Sequence, residues 1–192
     1  MHSRFKGPVK RGALSVAFLL GVTGPVYAVS GVIEINQARA KAGGVTPGDT
    51  PLFPVTISQP GSYRLTGILD VTDATARPSG TAAENTTAIL VTANSVTIDL
   101  NGFMIKGPTV CSGSPLTCSP GGVGHGIDAF TKSGVAVTNG IVQGMGGDGL
   151  HVSFIATRVE SVLALDNFGP GISAQTVIGC VARGAGSDLD NC

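Results

Sequence analysis

The stretch Gly124-His125-Gly126-Ile127 recurs as Gly147-Asp148-Gly149-Leu150 and again as Gly169-Pro170-Gly171-Ile172, at steps of 23 and 22 residues. Each copy is followed by a β-rich stretch and then by another cluster of glycines. A repeat of this length, made of glycine turns and short strands, is typical of a solenoid whose rungs are β-strands. The repeat therefore predicts an all-β solenoid with about four rungs.

Strands that stack in register bring equivalent residues of successive rungs about 4.8 Å apart. Ile127, Leu150 and Ile172 end the three copies, so we predict that they form an inward-facing aliphatic ladder. The glycines of each copy are interpreted as corner residues, because glycine adopts backbone angles that other residues resist. Asn101 and Asn139 occupy equivalent Asn-Gly turns, and we predict a stacked asparagine ladder whose amides bond the neighbouring turn backbone.

The chain divides into three segments. Residues 1–28 combine a basic start, a short apolar run at Ala13–Val22 and a small-residue cleavage site, which predicts a secretory signal peptide rather than a membrane anchor. Residues 29–80 are interpreted as an N-terminal cap with lead-in strands, because the first rung of a solenoid needs its backbone edge covered. Residues 81–192 carry the rungs, with a loop insertion at 107–123.

Charge and composition exclude some classes of partner. The 192 residues include 29 glycines and no tryptophan, and only 12% are charged, which suits short strands joined by tight turns. Removal of residues 1–28 takes away four basic residues and no acidic one, and leaves 8 basic against 12 acidic residues, a net charge of −4. This charge argues against a nucleic-acid partner, which requires a basic face. With the signal peptide removed, no segment is predicted to span a membrane, and the expected location is secreted, periplasmic or at the cell surface.

Four cysteines in an exported chain indicate disulfides. Cys111 and Cys118 bracket a loop sequence that their pairing would staple, and Cys180 and Cys192 form the second expected pair. The rival interpretation is a zinc site. The spacings lack a close Cys-x-x-Cys and no histidine lies near these cysteines, so no metal site is predicted from them.

Residues 94–103, with the sequence NSVTIDLNGF, are followed by rungs of the Gly-Asp-Gly-Leu type, and Gly31–Gly67 form a characteristic entrance segment. Over most of residues 31–190 the sequence resembles right-handed parallel β-helix repeat proteins of the pectate-lyase-like superfamily, more narrowly exported bacterial members. The resemblance implies a single-stranded right-handed parallel β-helix. It does not imply one activity, because this fold hosts lyases, hydrolases, epimerases, adhesins and phage spikes.

Neither catalytic pattern of polysaccharide-cleaving relatives is complete in this chain. Of the four motifs of polygalacturonase-like enzymes, only Gly124-His125-Gly126 is present, and we interpret it as part of the rung repeat. The lyase pattern requires acidic residues on adjacent rungs, with calcium and a basic residue. Candidates are scattered over different rows, and each is interpreted as an ordinary surface charge: Asp99, Asp128, Asp148, Glu160 and Asp166, with Lys106, Lys132 and Arg158.

His125 and Asp148 stand apart from these residues, because they occupy the same position of consecutive copies. If the rungs stack in register, Asp148 lies close enough to orient His125 and raise its proton affinity. Pro170 fills this position in the third copy, so the polar row does not continue. His125 and Asp148 are the candidate catalytic pair, and Asp148→Asn or His125→Ala without loss of activity or ligand binding would dismiss them.

Two classes of function follow from these observations. The first is an exported protein that interacts with a polysaccharide or cell-surface glycan, either as a binding module or as a lyase or hydrolase, with calcium as the cofactor only in the lyase case. The second is a structural or adhesive surface solenoid without an active site. The sequence stops at Cys192 without an evident cap, which favours either a truncated copy of a longer protein or self-association through the last rung.

Overall fold

The computed structural model describes residues 31–152, 155–184, 186 and 189–190. The predicted signal peptide and Cys192 lie outside them. The described elements are β1 Ile33–Ile35, α1 Gln37–Ala42, β2 Val55–Ile57, β3 Gly61–Leu65, β4 Leu69–Asp70, two 3-10 turns at Ala74–Ala76 and Ala83–Asn85, β5 Ile89–Val91, β6 Val96–Asp99, β7 Met104–Lys106, β8 Val110–Ser112, β9 Thr117–Ser119, β10 Ile127–Asp128, β11 Ala136–Gln143, β12 Leu150–Val152, β13 Arg158–Asn167, β14 Ile172–Ala174, β15 Thr176–Ile178, β16 Val181–Gly184 and β17 Leu189–Asp190.

Most of these strands belong to two parallel sheets, between which the chain alternates. Sheet A has the order β1-β3-β6-β11-β13-β15. In addition, β7 pairs with β11, β4 pairs with β7, and β16 pairs with β13. Sheet B has the order β2-β5-β10-β12-β14-β17. Each strand of sheet B is followed along the chain by one or more strands of sheet A, except at the C-terminal end of the described chain. This arrangement confirms the all-β class and the parallel pairing that the repeat predicts.

The core lies between the two sheets and is built from aliphatic rows. In sheet B, Val55 pairs with Ile89, Ile89 with Ile127, Ile127 with Leu150, and Leu150 with Ile172. These five side chains are fully buried. Ile127, Leu150 and Ile172, the residues of the predicted ladder, are thus in direct parallel register. Each buried aliphatic side chain contributes about 1.5–3 kcal/mol through the area that it removes from water.

The glycines of the second and third copies lie where the chain passes from sheet A to sheet B, but their backbone angles are not the predicted ones. None of Gly124, Gly126, Gly147 and Gly149 has a positive φ. A Cβ on Gly124 would instead lie 2.5 Å from the backbone N and O of Thr86, and a Cβ on Gly149 would lie 2.5 Å from the carbonyl oxygen of Gly171. These glycines do lie at bends between strands, but the predicted reason, backbone angles closed to other residues, does not apply to them. At Gly124 and Gly149 glycine is required because the backbone of a neighbouring segment occupies the space of a side chain.

Two asparagines adopt left-handed backbone angles at turns. Asn101 and Asn139 have φ values of 52° and 60°, in the left-handed region that asparagine tolerates better than most residues. The Asn101 amide donates to the Leu65 carbonyl at 3.2 Å, and the Asn139 amide donates to the Asp99 carboxylate at 3.3 Å. Each amide thus bonds to a residue of the preceding repeat. The two asparagines are connected through the Asp99 carboxylate, which accepts from the Asn139 amide and from the Asn101 backbone N–H.

The insertion at 107–123 contains an antiparallel hairpin. Strands β8 and β9 pair with Cys111 opposite Cys118, and the disulfide between them is formed, which confirms that prediction. Cys180 has no disulfide partner among the described residues, and its predicted partner Cys192 lies outside them. The Cys180 sulfur accepts a hydrogen bond from the Val162 N–H at 3.4 Å.

The N-terminal segment is continuous with the sheets. Helix α1 begins after Asn36, whose side chain accepts from the Arg39 N–H. Strands β2, β3 and β4 pair in parallel with β5, β6 and β7, so these lead-in strands are already members of sheets A and B. None of the described helices is long and apolar enough to cross a bilayer.

Two carboxylates anchor this segment and make it sensitive to acid. Lys41 lies 2.6 Å from Asp73, and Lys106 lies 3.2 Å from Asp70. Hydrogen bonds from Lys41 and Thr75 lower the pKa of Asp73 well below its usual range. Burial alone would raise the pKa of Asp70, but hydrogen bonds from Thr72 and the charge of Lys106 outweigh it and lower this pKa below 3.8.

We therefore predict that stability falls as the pH is lowered below about 5. The folded state binds fewer protons at these carboxyls than the unfolded chain, so their contribution is present above the unfolded pKa and is lost as the pH falls through the folded pKa. In the double variant Asp70→Asn/Asp73→Asn, urea unfolding at pH 7, 5 and 3 should show a shallower loss of unfolding free energy on acidification. An unchanged slope would contradict this prediction.

Candidate functional site

The outer face of sheet B carries a row of mostly polar residues. Side chains alternate along a strand, so the residue after each core aliphatic points away from the core. Thr56 pairs with Leu90, Leu90 with Asp128, Asp128 with His151, and His151 with Ser173. The pairing of β10 with β12 therefore places a carboxylate beside an imidazole.

Asp128 and His151 are in contact without a well-formed hydrogen bond. The Oδ1 of Asp128 lies 3.3 Å from the Nδ1 of His151, and their side chains are 28% and 24% exposed. The Nδ1 atom is buried and has no hydrogen-bond partner of acceptable geometry. The two atoms are close enough for a hydrogen bond, but their orientation does not form one. The contact is therefore a close approach without a hydrogen bond. Oδ1 of Asp128 accepts instead from the Phe130 N–H at 3.2 Å.

Two rings contact the imidazole of His151. The ring centroids of Phe130 and His151 are 4.6 Å apart with an interplanar angle of 13°, which is a stacked pair. The rings of His151 and His125 are 4.8 Å apart and inclined by 32°. These two contacts restrict the imidazole of His151. Phe130 remains 51% exposed.

The position of His125 is determined by the next repeat. Its Nδ1 accepts a hydrogen bond from the Asp148 backbone N–H at 3.0 Å, so the neutral ring carries its proton on Nε2, an assignment that follows from this hydrogen bond. Burial lowers the pKa of His125 below 6.5, and His151 acts in the same direction, whereas the charges of Asp148 and Asp128 oppose the shift. The balance favours a neutral imidazole at pH 7.

The structure brings the candidate pair His125 and Asp148 together, and a hydrogen bond between them runs from the Asp148 backbone N–H to the His125 ring. Their side chains also interact electrostatically. Asp128 is predicted from the sequence to be an ordinary surface charge, and His151 and Phe130 are not among the predicted site residues. A signal for two of them was present, because Asp128 and His151 each directly follow a ladder aliphatic of consecutive copies.

The other acidic candidates lie in separate ion pairs away from this cluster. Asp99 pairs with Arg64, Glu160 with Arg158, and Asp166 with Arg183. Lys106 is engaged with Asp70. All of these residues belong to sheet A or to its strand ends. The lyase pattern of several carboxylates with a nearby base is therefore not assembled by the candidates on sheet A.

A cleft adjoins the cluster at Asp128. It has a volume of about 360 Å³ and is bordered by Phe53, Pro54, Pro78, Asn85, Leu90 and Asp128, among others. A larger cleft of about 600 Å³ lies in the N-terminal segment, beside Val32, Arg39 and Asp49. The Asp49 carboxylate in that second cleft is already used, because it accepts from the backbone N–H groups of Val45 and Thr56. We therefore take the smaller cleft, which adjoins the ring cluster, as the candidate site.

The cluster also contains the one described group of three side chains whose ligand atoms lie close enough together to hold a metal ion. His125, Asp128 and His151 each offer one atom, and these atoms lie within 4.8 Å of one another. Two imidazoles and one carboxylate suit zinc and related transition metals, whereas calcium prefers six to eight oxygen ligands. The disulfide removes Cys111 and Cys118 from metal binding.

Comparisons with protein-family models, with curated proteins and with solved structures found no match to this chain.

Proposed function

We propose that this chain is an exported right-handed parallel β-helix protein that binds a polysaccharide on the outer face of sheet B. The observation that carries the proposal lies on the outward row of sheet B, where Asp128 borders a cleft and pairs with His151, whose ring stacks on the exposed ring of Phe130. The regular alternation of the chain between two parallel sheets supports the β-helix. The sequence resemblance to the pectate-lyase-like superfamily supports the handedness and the ligand class.

The chemistry of the row suits a sugar. Carboxylate and imidazole groups exchange hydrogen bonds with sugar hydroxyls, and an exposed aromatic ring packs against the apolar face of a pyranose. Phe130 has one face against His151, so its opposite face is the one that a sugar would cover. Sites for small ligands commonly combine such apolar surface with a few convergent polar groups.

Charge narrows the class of glycan. Asp128 and Asp148 are the acidic groups that act on His125, and burial lowers the pKa of this histidine and favours its neutral form. A polyuronate would place further carboxylates beside these two. An uncharged polysaccharide avoids that repulsion, so the preferred ligand is a neutral glycan.

Binding of the glycan without cleavage is the first candidate function, and hydrolysis of the glycan is the second. Most glycoside hydrolases use two carboxylic residues that flank the scissile bond. Asp128 and Asp148, which both act electrostatically on His125, are the carboxylic residues that hydrolysis would use.

The test is a binding assay of the full chain against neutral and acidic polysaccharides, with product analysis in parallel. We expect saturable binding of a neutral polysaccharide, and a loss of at least about 10-fold in affinity for Asp128→Asn and for Phe130→Ala, since each removes a main contact. Glu160→Gln, the same change of carboxylate to amide on sheet A, is the matched control and should bind within about twofold of the wild type.

Each result separates one alternative from the others. If the wild type releases reducing sugar and Asp128→Asn does not, the function is hydrolysis rather than binding alone. Preference for polyuronates would overturn the charge argument. If no glycan binds, or if Asp128→Asn and Phe130→Ala leave binding intact, the proposed site is wrong. Either result would favour a structural or adhesive role.

A further inference from the structure

We propose that Asp128, His151 and His125 form a binding site for one divalent transition-metal ion of the zinc, cobalt or nickel type. The proposal does not depend on glycan binding, because it uses the atoms of the cluster themselves and is measured with the metal alone.

The contact between Asp128 and His151 is the first argument. Two ligand atoms at 2.0–2.1 Å from a tetrahedral metal lie about 3.3 Å apart. Oδ1 of Asp128 and Nδ1 of His151 are separated by 3.3 Å, and no hydrogen bond joins them. A buried imidazole nitrogen without a partner is costly. A metal ion that accepts both lone pairs would remove this cost.

The backbone supports this pair of ligands. Asp128 and His151 lie directly opposite each other in β10 and β12, so the parallel ladder fixes the separation of their Cα atoms. Phe130 stacks on the His151 ring and restricts its rotation. The Asp128 carboxylate also accepts from the Phe130 N–H, which orients it. Such supporting contacts are what position the ligands in protein metal sites.

His125 is the third ligand and has to move to reach the ion. The three ligand atoms lie within 4.8 Å of one another, whereas ligands on one zinc ion are at most about 4.2 Å apart. The rings of His125 and His151 are inclined by 32°, and a metal ion binds in the plane of an imidazole ring. His125 therefore turns its ring and gives up the hydrogen bond from the Asp148 N–H. We expect it to contribute less affinity than the other two ligands.

The donor set defines the class of metal. Imidazole nitrogen with one carboxylate selects zinc, cobalt, nickel or copper over calcium and magnesium. Asp128 borders the cleft, so solvent can fill the remaining coordination positions. Three protein ligands with an open position are the arrangement of an accessible zinc site rather than of a closed structural one.

The experiment is a cobalt titration of the untagged, chelator-treated full chain, followed by visible absorption, with zinc as the competitor. We expect one cobalt ion per chain, displaced by one zinc ion. His151→Gln and Asp128→Asn should each weaken binding by at least about 10-fold, and His125→Gln should weaken it less. Glu160→Gln is the control and should bind as the wild type does. Circular dichroism confirms that each variant is folded.

Three outcomes would overturn the proposal. The first is the absence of a saturable cobalt spectrum in the wild type. The second is unchanged binding in His151→Gln and Asp128→Asn. The third is binding that disappears only in His2→Ala, which would place the metal at the N-terminus. Glycan binding by a protein that binds no cobalt would leave the function proposed above untouched.

Discussion

Gly124→Ala is expected to lower the free energy of unfolding by about 3 kcal/mol, since overpacking a close-packed site usually costs 1–3 kcal/mol and more where backbone must shift. The added Cβ would lie 2.5 Å from both the backbone N and the backbone O of Thr86. Backbone atoms cannot turn aside as the end of a flexible side chain can. The N–H of Gly124 is also hydrogen-bonded to the Glu84 carbonyl at 2.9 Å, so a shift of this segment would strain that bond.

The measurement is urea unfolding followed by circular dichroism, with Gly67→Ala as the matched control. A Cβ on Gly67 would meet only the Cβ of Asn36, at the ordinary distance of 3.6 Å. The control should therefore stay within about 0.5 kcal/mol of the wild type. Equal effects of the two changes would show that the close approach at Gly124 does not determine the choice of glycine.

Asn167→Ala is the second large effect, with an expected loss of about 2–4 kcal/mol, because each buried polar group left without a partner costs about 1–3 kcal/mol. Asn167 is fully buried at the end of β13. Its Oδ1 accepts from the Met145 N–H at 2.9 Å, and its Nδ2 donates to the Val142 carbonyl at 3.4 Å. Alanine would leave the Met145 N–H without this partner and would remove the bond to the Val142 carbonyl, in a region closed to water.

Asn94→Ala is the control for this change. Asn94 is exposed and its Oδ1 accepts from the Ser133 N–H at 3.0 Å, so it too joins one repeat to the next. Water can replace the lost partner there, and we expect a cost below about 1 kcal/mol. Unfolding in urea distinguishes the two variants. A loss at Asn94 as large as the loss at Asn167 would show that burial is not the cause.

The architecture could be predicted from the sequence because a regular repeat restricts how strands can pair. Copies spaced by 23 and 22 residues place Ile127, Leu150 and Ile172 at equivalent points. Parallel stacking of equal repeats leaves one register that buries all three, since a slip by one residue would turn every aliphatic side chain outward. The hairpin disulfide was accessible for a similar reason, as Cys111 and Cys118 are close in the chain.

The candidate site could be predicted from the sequence only in part. The pairing of His125 with Asp148 followed from the repeat, but the ring contacts among His125, His151 and Phe130 did not. They depend on the side-chain directions on the outer face of sheet B and on the loop after β10. One-dimensional spacing does not contain these directions. The neutral form of His125 likewise results from burial, which is a property of the folded chain.

The repeated glycine stretch determined by itself that the chain forms parallel, β-rich repeats with an aliphatic ladder. Only the tertiary structure decided why glycine stands there. At Gly124 and Gly149 the backbone of a neighbouring segment comes within 2.5 Å of where a Cβ would be, and the left-handed turns fall to residues such as Asn101 and Asn139. A sequence records that a side chain is absent, and the reason for its absence lies in a neighbour that folding brings from elsewhere in the chain.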